Sequence, residues 1–212
     1  MKNQNLSNIA YKLAIVKKEN QQGIALSKSR DITNPLYLYW LGGFVEGEGS
    51  VSVSIIVHPK FKFGVQLQPL FSVNQHVNGI EILRSFSYLF DNLGSLHQKS
   101  GSPDVWVYEL KGVSNLIKHI LPFFENYIVP FGCKNKEYNI FKEVILQMGN
   151  KTHLTKEGIS ELIQLIYTYV GKGKYRKRNL DEVLSIINDK DSYFKDNNLV
   201  NTVPVEQEEF KL

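Results

Sequence analysis

Leu41-Gly42-Gly43-Phe44-Val45-Glu46-Gly47-Glu48-Gly49-Ser50 is the stretch that decides the fold, and Val51-Ser52-Val53-Ser54-Ile55 follows it directly. The periodicity changes abruptly at Gly49. Upstream, Leu36 to Val45 is almost wholly apolar, with Leu38, Trp40, Leu41 and Phe44 in it. Asn34-Pro35 stands in front, an N-cap residue followed by the residue favoured at the first helical position. A helix apolar on every side is expected to be buried. Downstream, Ser50, Ser52 and Ser54 alternate with Val51, Val53 and Ile55. That is the period of two of a strand with one buried and one wet side. The segment therefore reads as helix, acidic end, strand.

Working outward, His58-Pro59-Lys60 reads as a turn and Phe61 to Gln75 as a second strand. Its parity puts Gln66, Gln68, Ser72 and Asn74 on one side, with Leu70 among them, and Leu67, Phe71 and Val73 on the other. Val77 to Leu93 has apolar residues at helical spacing and ends at Gly94, a C-cap signal. Ser95–Ser100 and Asp104–Lys111 read as a hairpin, and Ser114 as the cap of a short helix ending before Pro122. Lys134–Met148, Thr155–Val170 and Asn179–Ile187 read as helices. The expectation is an α+β domain of order αββαββα, with an antiparallel sheet and helices on one face. Residues 1–33 read as an N-terminal extension, 34–188 as the domain, and 189–212 as a polar, poorly ordered tail.

Composition narrows the function classes. The chain has 212 residues, 42% of them hydrophobic, enough for one domain with a proper core. Cys133 is the single cysteine, which excludes an internal disulfide and a Cys-type zinc site; it reads as a buried structural thiol. No apolar run reaches the roughly 18 residues that span a bilayer, so no membrane partner is expected. A net charge of +4 permits a nucleic-acid partner without requiring one.

The decisive segment resembles the LAGLIDADG motif, in the form with Glu in place of the final Asp. Phe71-Ser72-Val73-Asn74-Gln75-His76-Val77-Asn78-Gly79 also resembles a segment of the organellar single-motif enzymes that cut large ribosomal RNA genes. The likeness extends over about residues 34–178. It implies a saddle-shaped sheet and a homing endonuclease that cuts double-stranded DNA with Mg²⁺. With a single copy of the motif, it implies a C2 homodimer on a pseudo-palindromic site. It places Glu48 and the backbone carbonyl of Gly47 on metal. Gln75 corresponds to a water-ordering residue, and Lys134 to a basic helix start near the scissile phosphate. Glu46 corresponds to an acid the family does not generally use as a ligand. Organellar residence, in a chloroplast or mitochondrion, is implied as well.

Two further groups follow from the residues. Gly43 and Gly47 lie four apart and share a helix face, and glycine faces let helix backbones approach closely. With Gly42, Leu36 and Trp40 they are the expected dimer face. For DNA contact, the wet side of the sheet offers Ser52, Ser54, His58, Gln66, Gln68, Ser72, Asn74, His76, His97, Lys99, Trp106 and Tyr108. Lys172, Lys174, Arg176, Lys177 and Arg178 form an acid-free run suited to phosphates. Rival readings on the same scaffold are an intron maturase binding intron RNA and a DNA-binding protein without catalysis. A dimerisation module with no nucleic acid is the blandest alternative.

Overall fold

A computed structural model describes residues 31–169 and 177–197. Helix α1 spans Pro35–Glu48 and runs directly into strand β1, Gly49–Val57. The turn after β1 is closed by His58 N–H donating to Gly64 O at 2.9 Å, with Gly64 at φ +73°. Strand β2 is thereby confined to Val65–His76, starting four residues later than the alternation suggested. A 3₁₀ turn, Val77–Gly79, leads into α2, Ile80–Leu89. This helix stops short of Gly94 because Asp91 and Asn92 already take positive φ.

Strands β3 (Ser95–Lys99) and β4 (Ser102–Lys111) complete a four-stranded sheet of order β1-β2-β4-β3, the β3–β4 pair antiparallel. The next helix does not end before Pro122. It continues as α3 (Val113–Asn115), a π turn (Leu116–Ile120) and α4 (Leu121–Tyr127). Pro122 falls in the first turn of α4, where a missing N–H removes little. Helices α5 (Asn135–Gly149), α6 (Lys156–Tyr169) and α7 (Leu180–Asn188) follow within a few residues of expectation. The order αββαββα holds.

Residues 190–196 were expected to belong to a polar tail. They form α8, Lys190–Asp196, with Asp189 Oδ1 accepting from Ser192 N–H at 3.1 Å and Phe194 buried. The helix is seven residues long, about two turns, too short to register as periodicity.

The described chain divides into two compact units. One combines the chain up to Ser50 with Phe71–Leu110 and His119–Lys134. Its core is aromatic: the Phe71 ring meets Phe86, Phe90, Tyr108 and Phe124 at centroid distances of 6.0–6.4 Å, mostly edge to face. Tyr37 and Ser85 share a buried hydrogen bond of 2.8 Å. The other unit combines Val51–Leu70, Lys111–Lys118 and the chain from Asn135. Its core is aliphatic, with Val144, Ile159, Leu162, Ile163, Ile166 and Ile186 among its buried members.

Helix α1 is not buried all round, as its composition suggested. Tyr37, Leu41, Gly42 and Val45 are buried, while Leu36 and Trp40 are 77% and 49% exposed. One face satisfies the core of its own chain, and the other keeps its apolar side chains in solvent.

Candidate active site

Helix α1 is fixed at both ends. Asn34 Oδ1 accepts from Leu36 N–H at 3.0 Å, satisfying an otherwise orphaned donor. At the other end Glu48 is the last helical residue and is exposed, and Gly49 N–H donates to Val45 O. Helix carbonyls and a carboxylate therefore gather at one point, a locally negative end. Lys134 answers it. Its Nζ donates to Val45 O at 3.1 Å and also to Gly49 O, so an ammonium sits at the end of α1 beside the Glu48 backbone.

The segment before Lys134 makes this possible. After α4 the chain turns sharply: Val129 N–H donates to Phe124 O at 2.8 Å and Gly132 N–H to Ile128 O at 2.7 Å. Glu46 Oε1 then accepts from Cys133 N–H at 2.8 Å. This contact of Glu46 is not legible in the sequence, since its partner lies 87 residues away. Cys133, expected to be buried, is exposed: its backbone is held while its thiol faces outward.

Gln75 closes β2. Its Oε1 accepts from His76 N–H at 2.7 Å and its amide lies on Gly79, where a Cβ would collide with it. His76 Nδ1 accepts from Asn78 N–H at 3.2 Å, capping the 3₁₀ turn.

Of the residues expected to form the dimer face, Leu36, Trp40, Gly43 and Gly47 lie on the open side of α1, with nothing near the Cβ positions of the two glycines. Gly42 does not belong with them. It is buried against the Tyr127 backbone of its own chain, and any Cβ would strike the Tyr127 carbonyl.

The strands sort the expected DNA-reading residues. On β1, Ser52 and Ser54 are exposed; on β2, Gln66 and Gln68 are exposed and Ser72 and Asn74 half-buried, with Ser72 Oγ 3.0 Å from Ser50 Oγ. His97 and Lys99 are exposed on β3. His58 caps its own turn, with Nδ1 accepting from Lys60 N–H.

Tyr108 and Trp106 are corrections. Tyr108 is fully buried in the aromatic core and its hydroxyl donates to Leu93 O at 2.7 Å. Burial pushes its phenol well above the usual tyrosine range. Trp106 shares its parity and is half-buried, opposite Gln98, whereas His97 lies opposite Val107. A register irregularity between Gln98 and Lys99 breaks the simple alternation of the hairpin.

Lys172, Lys174 and Arg176 lie outside the described residues. Lys177 is exposed, while Arg178 is half-buried with its Nε 3.1 Å from Glu182 Oε1.

Among the described residues no group of three or more His, Cys, Asp or Glu side chains could hold a metal. With Val45 O and Gly49 O accepting from Lys134, the donors left at the end of α1 are the Glu48 carboxylate and the Gly47 carbonyl. These are hard oxygens that suit Mg²⁺, an ion that keeps several waters. They fit it as part of a set.

The family model described as LAGLIDADG endonuclease matches residues 41–145. An archaeal intron-encoded homing endonuclease, I-Vdi141I, solved in complex with DNA, is 32% identical with a TM-score of 0.64. The likeness covers 72% of this chain and 95% of that one. The chain belongs to the LAGLIDADG endonuclease family. Another relative, the DNA endonuclease I-CeuI of Chlamydomonas moewusii, is 32% identical over 135 residues, 63% of this chain and 62% of the relative. Its DNA complex has a TM-score of 0.68 at 23% identity, a likeness of fold. The probable intron-encoded endonuclease 2 of Neurospora crassa is 27% identical over 125 residues, and the match spans only 27% of its length. This chain thus spans less than two thirds of these curated relatives. LAGLIDADG membership implies a divalent-metal requirement.

Proposed function

We propose that the chain is a sequence-specific DNA homing endonuclease, acting as a C2 homodimer with Mg²⁺ to cut both strands of a long pseudo-palindromic site. The observation that carries this is α1: an apolar and glycine face left in solvent, ending in an exposed Glu48 with the Lys134 ammonium beside it. A solvent-facing row of Leu36, Trp40, Gly43 and Gly47 is costly for a monomer and natural for a close helix crossing. A two-fold crossing along that row brings the two acidic helix ends together.

Glu48 and the Gly47 carbonyl of each copy would hold the metal, two chains together supplying a donor set that the described residues of one do not gather. A divalent ion held there would supply Lewis acidity for a water nucleophile and for the leaving 3′ oxygen of the phosphodiester. Lys134 Nζ supplies a fixed positive charge for the phosphate, and Gln75 orders water near it. Ser52, Ser54, Gln66, Gln68, Ser72, Asn74, His97 and Lys99 meet base edges. Lys177 and the basic residues preceding it hold phosphates and make affinity fall with salt. Organellar residence fits the intron-encoded relatives. No helix among the described residues is long and apolar enough to cross a membrane.

The test is selection of cut products from a randomised duplex library with Mg²⁺, together with the mass of the DNA-bound protein. The expected result is a two-fold-related consensus and two copies per duplex. One copy per cleaved duplex, or retention of DNA with no cutting, overturns the reading.

A further inference from the structure

Glu46 is the one acid of the motif for which the proposed chemistry has no use, and its surroundings are the most specific on α1. Its two oxygens have different environments. Oε1 accepts from the backbone N–H of Cys133 at 2.8 Å. Oε2 is buried without a hydrogen-bond partner, against Gly132. The contact is tight enough that a Cβ at residue 132 would collide with Oε2 and come within 3.0 Å of Ile128 O. Phe131 N–H and Gly132 N–H both donate to Ile128 O, at 3.0 and 2.7 Å, so the turn that delivers Cys133 is itself closed.

The residue after Cys133 is Lys134, whose Nζ reaches Val45 O and Gly49 O. Two successive residues of one loop are therefore tied to one end of α1, the first by its backbone and the second by its side chain. A lysine side chain is long and flexible and loses much rotamer freedom when held. Fixing the backbone one residue upstream removes a large part of the remaining search. A hydrogen bond donated to a charged acceptor is about twice as strong as a neutral one.

We propose that Glu46 is a positioning residue: through the Cys133 amide it fixes the backbone from which Lys134 reaches the Glu48 end of α1. This rests on the reading above, in which Lys134 acts on the phosphate.

The experiment measures single-turnover cleavage and DNA affinity separately for Glu46→Ala, Glu46→Gln, Lys134→Met and the Glu46→Ala/Lys134→Met pair. Misplacing a charged group by about 1 Å costs on the order of 100-fold, so Glu46→Ala is expected to slow cleavage by about 10-fold to 100-fold while affinity holds. Glu46→Gln keeps an acceptor for Cys133 and is expected to restore the rate to within about 3-fold of the parent. In the Lys134→Met background, Glu46→Ala is expected to change the rate by less than about 2-fold, since both changes remove one effect.

Multiplying losses in the pair overturn the proposal, as does an unchanged rate in Glu46→Ala. An unaffected rate in Lys134→Met overturns the role of Lys134 itself, which separates that failure from the failure of Glu46. If Glu46→Ala does not fold, Gly132→Ala crowds Oε2 from the loop side and is read by the same criteria.

Discussion

Gly42 and Gly43 are adjacent in sequence and opposite in circumstance. Gly42 lies under the Tyr127 backbone, so close that a side chain there has no room. Gly43 points into open space, as does Gly47 one turn on. Along α1 this division repeats: Tyr37, Leu41 and Val45 are buried by their own chain, while Leu36 and Trp40 remain exposed. Both faces are apolar, so hydrophobicity does not distinguish them. What distinguishes them is that one is covered by its own chain and the other is left open.

The contrast can be broken most severely at the tip of the open face. Glu48→Gln is expected to lower the cleavage rate on the order of a thousand-fold with DNA retention intact, measured by single-turnover cleavage beside a gel-shift titration. The buried face comes next. Gly42→Val is expected to cost about 3 kcal/mol, because the backbone of Tyr127 cannot yield as a side chain would; urea unfolding reads it. Gly43→Val tests the other side of the comparison. It should leave the secondary structure of α1 unchanged and weaken self-association about 30-fold, as seen by sedimentation. That loss is about 2 kcal/mol by the tenfold-per-1.4 rule. Equal effects on unfolding at 42 and 43 would mean that the two faces are not different at all.

The smallest effect extends the contrast to the sheet. Tyr108→Phe removes the hydrogen bond to Leu93 O and is expected to cost about 1 kcal/mol while leaving the preferred DNA sequence unaltered. Altered base preference in that variant would put residue 108 back on the DNA-reading side.

Local patterning made much of this legible. The switch from an apolar helix to Ser/Val alternation at Gly49 located α1 and β1, and the parity of Gln66 and Gln68 gave the exposed side of β2. What escaped depended on distance or on irregular backbone. The parity of β4 is legible only with knowledge of the irregularity between Gln98 and Lys99, which alternation does not encode. The burial of Gly42 depends on Tyr127, and the task of Glu46 on Cys133, both far along the chain. Pro122 read as a stop because a π turn, which shifts the hydrogen-bond frame, leaves no signature in composition. A helix apolar all round also has two physical solutions, burial within its chain or burial by a second one, and composition is the same for both.

The outward-facing thiol of Cys133 has a practical consequence. The chain holds one cysteine, and it is exposed, next to Lys134 and on the backbone that Glu46 holds. A maleimide dye or nitroxide coupled to the unaltered sequence therefore attaches at a single address, one residue from the ammonium at the helix end. The surroundings of this loop can be followed on titration with duplex DNA, by fluorescence or electron paramagnetic resonance, without mutating anything first.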